Sequence, residues 1–259
     1  MPRFSLCIEP CFKEEPQFPK RLALAKAAGF DTVEFWGLGN KDVEAIAQAR
    51  KDAGVVISLF GLKFPRTLIE GNDKAAIAQA VNDHMRADDK LGGVRRWVLT
   101  TGNTLPNVPR EQQRQSIIDD LKRLAEAVDG KGVTICLEPL NSLVDHKGYF
   151  LDHTADALSI LEAVNHPQIR MLHDIYHMQI MEGNLIVNIK TALPRIGHFH
   201  SADVPGRHEP GSGEINYANV FKAIDDLGYE GYVGLEFRPS DNSQNALKRF
   251  WERYASLKK

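Results

Sequence analysis

The 259-residue sequence lacks the features of a membrane protein, a secreted protein or a nucleic-acid-binding protein. No apolar run approaches the length of about 18 residues that a membrane span requires, and the N-terminal stretch MPRFSLCIEP contains no apolar signal segment. The 32 basic and 34 acidic residues give a formal net charge of −2, which disfavours binding to nucleic acid through phosphate neutralisation. We therefore expect a cytoplasmic protein that binds neither membranes nor nucleic acid.

Cysteine is scarce, and several familiar catalytic motifs are missing. The three cysteines, Cys7, Cys11 and Cys136, lack the spacing of a zinc ribbon or a CxxC motif, so we expect reduced thiols. The sequence contains no P-loop, no GxGxxG after a predicted strand and no GxSxG elbow. No low-complexity tract and no Pro/Gly/Ser-rich linker divides the chain, so we expect one domain over residues 1–259.

Short apolar runs alternate with longer amphipathic ones along the chain. Strands are predicted at residues 3–9, 32–36, 55–60, 95–102, 133–139, 169–174, 196–203 and 232–237. Helices are predicted at residues 18–28, 41–53, 73–91, 110–130, 154–164, 184–192, 216–227 and 243–257. The strands are almost continuously apolar, as expected when both of their faces are buried. This order predicts an α/β protein with a single (β/α)8 TIM barrel, and a doubly wound open sheet is the alternative.

Polar residues occur at the carboxyl ends of four successive predicted strands. These residues are Glu138, Asp174, His200 and Glu236. In a TIM barrel the carboxyl ends of the strands converge on one mouth, where active sites lie. A single acidic residue at a strand end is usually a cap for the next helix, but three carboxylates around one space repel each other unless a cation lies among them. We therefore predict that the four residues bind a divalent metal ion.

The chemistry of this ligand set indicates which metals fit. Three carboxylates and one imidazole form a mostly hard-oxygen set, which favours Mg²⁺ or Mn²⁺ and also suits Co²⁺. Zinc accepts the same ligand types. Each of these ions leaves coordination positions open for the oxygens of a small substrate.

Strand alternation sorts the histidines near this mouth. His177 follows Asp174 by three residues, at the start of the next segment, and can reach the same mouth. His173 should point to the opposite face of its strand, which indicates a packing role or a role in supporting the ligands. His198 lies on the same side as His200 but one layer deeper, so we expect it to support the site rather than to bind the metal.

Three further residues are predicted to bind substrate. Arg207 lies in the Gly- and Pro-rich loop 202–217, and its planar guanidinium suits a carboxylate or the hydroxyl groups of a small substrate. We place Arg207 outside the metal ligands; a surface arginine is the simpler interpretation. Asp145 follows Glu138 closely and is expected to hydrogen-bond to substrate oxygens. Glu34, in the second strand, is the third candidate.

The sequence resembles the hydroxypyruvate isomerase family within the xylose isomerase-like TIM barrels. The resemblance is carried by LEPLN, HDIYHMQIMEGN, GHFHSADVPGRHEPGSGEINY and GYVGLEFRP. It covers most of residues 130–240 in order, whereas the N-terminal half agrees only in its βα pattern and in AAGFDTVEF. The resemblance implies a divalent metal at the four strand-end residues, with Glu138 and Glu236 as acid/base residues. It also implies that His177 and Arg207 contact substrate.

The reaction implied by this resemblance is a metal-dependent isomerisation through an enediolate. The implied substrate is a small hydroxy-ketoacid or ketose, and the expected reaction converts hydroxypyruvate to tartronate semialdehyde. Two positions depart from the family pattern: His200 stands where Gln is usual, and His208 stands where Gly is usual. The ketose 3-epimerases of the same superfamily carry His at the first position, so epimerisation is the alternative. Either enzyme could act as a homo-oligomer.

Two further alternatives belong to other functional classes. A DNA-repair nuclease of the endonuclease IV type shares the barrel, but it would need more metal ligands and a basic face, which the net charge of −2 disfavours. A non-catalytic sugar-binding barrel is disfavoured because both Glu138 and Glu236 are present.

Overall fold

The centre of the protein is a closed barrel of parallel strands. A computed structural model describes residues 2–254. The strands are β1 (Arg3–Cys7), β2 (Thr32–Phe35), β3 (Val56–Gly61), β4 (Arg96–Leu99), β5 (Thr134–Leu137), β6 (Ile169–Asp174), β7 (Ile196–Ser201) and β8 (Tyr232–Leu235). They pair in sequence order, and β8 pairs with β1 to close the barrel. The predicted TIM barrel is confirmed, and the open-sheet alternative is wrong because this closure leaves no free sheet edge.

The connections between strands carry the helices. Within residues 2–254 the α-helices are α1 (Lys20–Ala27), α2 (Val43–Ala53), α3 (Lys74–Lys90), α4 (Arg110–Val128), α5 (Thr154–Val164), α6 (Ile175–Met181), α7 (Leu185–Ala192), α8 (Tyr217–Asp226) and α9 (Ser243–Arg253). Several begin at a capping side chain: the Asp42 and Asp73 carboxylates accept the backbone N–H groups of Ala45 and Ala76. The final residues of the predicted helix 243–257 lie outside the described residues. None of the helices in the described part is long and apolar enough to cross a membrane.

One helix was not predicted from the sequence. Helix α6 starts directly after β6, because the Asp174 side chain accepts the backbone N–H of Tyr176 at 2.8 Å and so caps the new helix. The first four residues of α6 are all buried. A short helix that is buried on every side shows no amphipathic period, which explains why the pattern missed it.

The strands end earlier than their apolar patterns suggest. β5 and β8 each stop one residue before the predicted glutamate ligand. The backbone N–H of Glu138 still donates to Leu99 O, and that of Glu236 donates to Ser201 O, both at 3.0 Å. The two glutamates are therefore fixed by the sheet at the point where the chain turns into the loops.

The buried apolar residues of the described range form two clusters. The large one packs the outer faces of the strands against the helices. The small one consists of Leu59, Val98, Cys136 and Leu172 from β3 to β6, and it fills part of the barrel interior. All three cysteines are buried and free, as predicted. The side of the barrel interior opposite these residues is left for polar groups.

Candidate active site

The four predicted metal ligands meet at the carboxyl ends of the last four strands. Glu138, Asp174, His200 and Glu236 are all buried, and one ligand atom from each lies within 4.8 Å of the others. They come from β5, β6, β7 and β8 or from the residue that follows the strand. The structure thus brings together the residues that the sequence analysis selected.

Asp174 serves two purposes with its two oxygens. Its Oδ1 accepts the backbone N–H of Tyr176 at the start of α6. Its Oδ2 faces the site, 3.2 Å from Arg207 Nη2 and 3.4 Å from His177 Nε2. Burial raises the pKa of Asp174 to about 7 even though Arg207 opposes this shift. The helix-cap interpretation of this acid is therefore correct for Oδ1, while Oδ2 remains directed into the site.

His200 is surrounded by carboxylates. Its Nδ1 lies 3.3 Å from Glu138 Oε1 and 3.3 Å from Glu236 Oε2, and its Nε2 lies 2.9 Å from Glu34 Oε1. Burial lowers the pKa of His200, but Glu236 and Glu34 outweigh it and hold that pKa well above the usual range. Conversely, Arg207 and His200 outweigh the effect of burial on Glu236 and hold its pKa below the usual range.

This group of residues fits a divalent metal ion. Two ligands bound to one ion at about 2.1 Å lie roughly 3 Å apart, which matches the 3.3 Å from His200 Nδ1 to each glutamate oxygen. Three buried carboxylates converge here, and such a concentration of negative charge calls for a cation. The donor set could therefore hold a divalent ion at this mouth.

Arg207 contacts the ligand group directly. Its Nη2 hydrogen-bonds to Asp174 Oδ2 at 3.2 Å and forms a second ion pair with Glu236 Oε2. The guanidinium also lies 5.1 Å from the centre of the Tyr176 ring. The side chain is only 11% exposed, so the surface-arginine interpretation is wrong. Arg207 is not one of the four candidate ligands, but it contacts two of them, Asp174 and Glu236.

His177 and Asp145 line the same cavity. His177 Nδ1 accepts the backbone N–H of Asn141 at 3.1 Å, so the ring proton sits on Nε2, which faces the site. Burial, with Arg207 adding to it, holds the pKa of His177 well below the usual range, so the ring is a neutral donor. Asp145 Oδ2 accepts from Asn141 Nδ2 at 2.8 Å and from Tyr176 Oη at 2.7 Å. Both predicted substrate residues are therefore held rigidly beside the ligands.

Glu34 lines the base of the cavity beneath His200, and its contact with substrate stays a prediction. It has no exposed surface, and its oxygens face two imidazoles: Oε1 faces His200, and Oε2 lies 2.9 Å from His198 Nε2. His198 is fully buried one layer below His200, as predicted. Burial raises the pKa of Glu34, but His198 and His200 outweigh it and hold that pKa below the usual range. Substrate contact would require Glu34 to leave both partners.

His173 points away from the barrel interior, as predicted. It is fully buried, its ring packs against Phe199 with the ring centroids 5.8 Å apart, and neither ring nitrogen has a hydrogen-bond partner. Burial lowers the pKa of His173 to about 4. His208, the second departure from the family pattern, donates or accepts nothing at the ligands; its Nδ1 lies 2.8 Å from Arg238 O.

The ligand group opens into a cavity of about 450 Å³. Its lining includes the apolar side chains of Trp36, Leu62 and Leu140. Trp36 comes from the loop after β2, and its indole N–H donates to Glu236 Oε1. Lys13 and Arg238 also line the cavity and carry positive charge. Sequence reasoning missed Lys13, Trp36 and Arg238 because they lie in loops, although Trp36 is the last residue of the predicted strand 32–36.

Comparison with known proteins agrees with this geometry. Residues 22–254 match the family model described as a xylose isomerase-like TIM barrel. The chain is 34% identical over 254 residues to the 2-oxo-tetronate isomerase of Cupriavidus necator, covering 95% of this chain and 96% of that protein. It is 30% identical over 263 residues to the hydroxypyruvate isomerase of Escherichia coli K12, covering 96% of this chain and 98% of that protein.

A solved structure extends the comparison to three dimensions. A Brucella melitensis protein described as an AP endonuclease of family 2 superimposes with a TM-score of 0.91 at 30% identity. The match covers 98% of this chain and 99% of that one. Sequence and structure thus agree over nearly the full length of the chain. The protein belongs to the xylose isomerase-like TIM-barrel family, in its hydroxypyruvate isomerase group, and is an isomerase.

Proposed function

We propose that the protein is a metal-dependent isomerase of small 2-oxo acids, and that it converts hydroxypyruvate to tartronate semialdehyde. The observation that carries this proposal is the pair of buried glutamates, Glu138 and Glu236, each 3.3 Å from His200 Nδ1 and both lining the cavity. Two relatives at 30% identity or more are named for 2-oxo acids, hydroxypyruvate and 2-oxo-tetronate. Site and relatives therefore support the same class of substrate.

The reaction moves one proton between neighbouring carbons. One glutamate removes a proton from C3 of hydroxypyruvate, which leaves an enediolate across C2 and C3. A proton is then delivered to C2, and the hydroxyl proton moves from the C3 oxygen to the C2 oxygen, so that the aldehyde forms without any external oxidant. Glu236 lines the cavity and is placed to act as the base. Glu138, on the other side of His200, is placed to return the proton.

The remaining residues orient the substrate and balance charge. A divalent ion, for which we propose Mg²⁺ or Mn²⁺, held by Glu138, Asp174, His200 and Glu236 would supply a Lewis acid for the developing enediolate. The neutral His177 ring offers its Nε2–H to a substrate oxygen. Arg207 holds Asp174 and Glu236 in place and presents its free guanidinium edge to the substrate. Asp145, fixed by Asn141 and Tyr176, accepts from a substrate hydroxyl.

The charges around the cavity favour an acid over a neutral sugar. Lys13 and Arg238 line the cavity, are exposed, and form no ion pair with another residue in the described range 2–254. A substrate carboxylate that approaches several buried carboxylates needs such uncommitted cations near it. These two side chains therefore support a substrate that carries a carboxylate.

Epimerisation of a ketose is the second candidate, and His200 favours it. The cavity of about 450 Å³ also exceeds the volume of a three-carbon acid. The two reactions share the first proton transfer and differ in the carbon that receives the proton. C3 of hydroxypyruvate carries two hydrogens and is not a stereocentre, so only a longer substrate can reveal epimerisation.

A panel assay separates these candidates. The protein loaded with Mn²⁺ or Mg²⁺ is given hydroxypyruvate, 2-oxo-tetronate, several ketohexoses and an oligonucleotide with an abasic site. We expect turnover of the 2-oxo acids with formation of an aldehyde. Epimerisation of ketohexoses without turnover of the acids, or cleavage of the oligonucleotide, would contradict the proposed function.

A further inference from the structure

A buried polar chain runs beneath the ligand group, and Glu34 is its centre. Glu34 Oε1 lies 2.9 Å from His200 Nε2, and Oε2 lies 2.9 Å from His198 Nε2. Ser58 Oγ donates to Glu34 Oε2 at 3.2 Å and lies 2.7 Å from Ser5 Oγ. All of these residues are at most 3% exposed. A buried carboxylate is costly unless it has a function or full compensation, so this arrangement needs an explanation.

Both imidazoles turn their Nε2 atoms towards the Glu34 carboxylate. An ionised carboxylate only accepts hydrogen bonds, so each Nε2 that faces Glu34 carries its proton. His198 Nε2 forms a hydrogen bond with Glu34 Oε2. Within the described residues, Glu34 Oε1 and His200 Nε2 have no hydrogen-bond partner, and their 2.9 Å approach is an ion-pair contact. A histidine that binds a metal through Nδ1 must release the Nδ1 proton, and the proton that stays on Nε2 then faces Glu34. His200 Nδ1 points to Glu138 and Glu236, the direction that a metal ligand requires.

The opposite strand leaves room for this contact. Gly234 in β8 is the register partner of His200 in β7. A Cβ atom on Gly234 would overlap with Glu34 Oε1 and would lie 2.8 Å from His200 Cδ2. A side chain at this position would therefore separate the carboxylate from the ring. The glycine at position 234 is thus a second, independent feature that permits the contact between Glu34 and His200.

We propose that Glu34 is a positioning residue for His200: it holds the ring orientation and the tautomer that direct Nδ1 to the metal. This inference rests on the metal centre of the proposed function but not on any particular substrate. In known sites, a carboxylate that accepts the second N–H of a ligand histidine raises metal affinity by about 10- to 100-fold. Glu34 would thus act on the reaction through His200 without touching substrate.

Metal titration of the substrate-free protein tests the proposal. Glu34→Gln keeps the shape of the side chain but replaces one accepting oxygen with a donating amide. We expect its Kd for Zn²⁺, measured by calorimetry, to rise by about 10- to 100-fold. The matched control is Ser58→Ala, which removes a hydrogen bond from Oε2 and leaves the contact between Oε1 and His200 intact. The control should bind Zn²⁺ almost as tightly as the wild type.

A spectroscopic measurement reports on the tautomer itself. In the Zn²⁺-loaded, ¹⁵N-histidine-labelled protein, His200 should show a slowly exchanging, downfield Nε2–H signal that Glu34→Gln shifts upfield or abolishes and Ser58→Ala retains. If Glu34→Gln does not fold, Glu34→Asp is the substitute, because it keeps the charge but shortens the side chain by one methylene. This variant should also raise the Kd for Zn²⁺. These readouts need no substrate, so they separate this inference from the panel assay.

Three results would overturn the proposal. Unchanged Zn²⁺ affinity and an unchanged His200 signal in a folded Glu34→Gln protein would reduce Glu34 to a structural partner of His198. Equal weakening by Glu34→Gln and Ser58→Ala would indicate general loosening of the barrel interior. Two zinc ions per wild-type chain would also contradict it, because Glu34, His198 and His200 lie close enough together to form a second metal site.

Discussion

Histidines on the outer and inner faces of β6 and β7 have opposite electrostatic surroundings. His173 on the outer face and His200 on the inner face are both almost fully buried. His173 has no hydrogen-bond partner for either nitrogen and packs against Phe199, whereas His200 lies among three carboxylates. The pKa of His173 falls to about 4, and that of His200 is held well above the usual range. Burial alone therefore does not determine what a histidine does; its charged neighbours decide.

Strand alternation produces this difference. Successive side chains of a strand point to opposite faces, so the side chains of His173 and Asp174 lie on opposite faces of β6 although the residues are neighbours in sequence. The outer face of the barrel packs against helices, so its side chains are mostly apolar. The inner face at the carboxyl end is surrounded by the ends of the other strands, and charged side chains can cluster there.

The largest effect is expected for the two glutamates. Glu138→Gln and Glu236→Gln each keep an oxygen and the shape of the side chain but remove the basic carboxylate, so kcat should fall by about 10²-fold or more. Glu209 is a matched control: it is also buried, but it bonds to Arg249 and Ser240 outside the ligand group. Steady-state kinetics should show near-normal kcat for Glu209→Gln. A glutamate variant of the site with near-normal kcat would have only a structural or ligand role.

A smaller effect is expected for Arg207. Arg207→Ala removes the proposed charged hydrogen bond to the substrate, and we expect KM for the 2-oxo acid to rise by about tenfold or more. Metal affinity should hold or increase, because Arg207 neutralises two of the ligand carboxylates. Arg207→Lys keeps the charge without the planar fork and should recover only part of the loss. An unchanged KM in Arg207→Ala would exclude substrate contact.

The smallest effect concerns the outer face and appears only in acid. The unfolded chain protonates His173 near the ordinary pKa of about 6.5, but the folded protein does so only near about 4. Between these values the unfolded state binds more protons, so His173 makes the protein less stable as the pH falls. At pH 5.5 this contribution is about 1 kcal/mol. His173→Phe should remove it while changing stability little at pH 7.5.

Urea unfolding of the wild type and of His173→Phe at both pH values measures this difference. The loss of stability between pH 7.5 and pH 5.5 should be smaller in the variant. Equal losses in the two proteins would mean that His173 is protonated as readily in the folded state as in the unfolded state.

Much of this arrangement could be predicted from the sequence because it follows from strand order. The barrel follows from eight apolar runs separated by amphipathic segments. The ligand group follows from polar residues at the ends of consecutive strands, which a closed parallel barrel must bring together. The opposite placement of His173 and His200 follows from alternation alone.

The residues whose positions could not be predicted depend on irregular backbone or on distant contacts. The pairing of β2 with β3 shifts register between Val33 and Glu34, so alternation does not show what Glu34 faces. Arg207 has a left-handed backbone with φ of 58°, a conformation that no periodic pattern reveals, and this loop geometry directs the side chain onto Asp174. Trp36 reaches Glu236 across the mouth from the other half of the chain.

The central claim is that the inner face works as a metal centre, and metal removal tests it most directly. The purified protein is treated with a chelator, dialysed into metal-free buffer and assayed with hydroxypyruvate before and after addition of Mn²⁺ or Mg²⁺. Three buried carboxylates around one imidazole need a cation to position a substrate oxygen, so turnover should disappear on chelation and return with about one equivalent of metal per chain. Full turnover by a protein that elemental analysis shows to be metal-free would contradict the account.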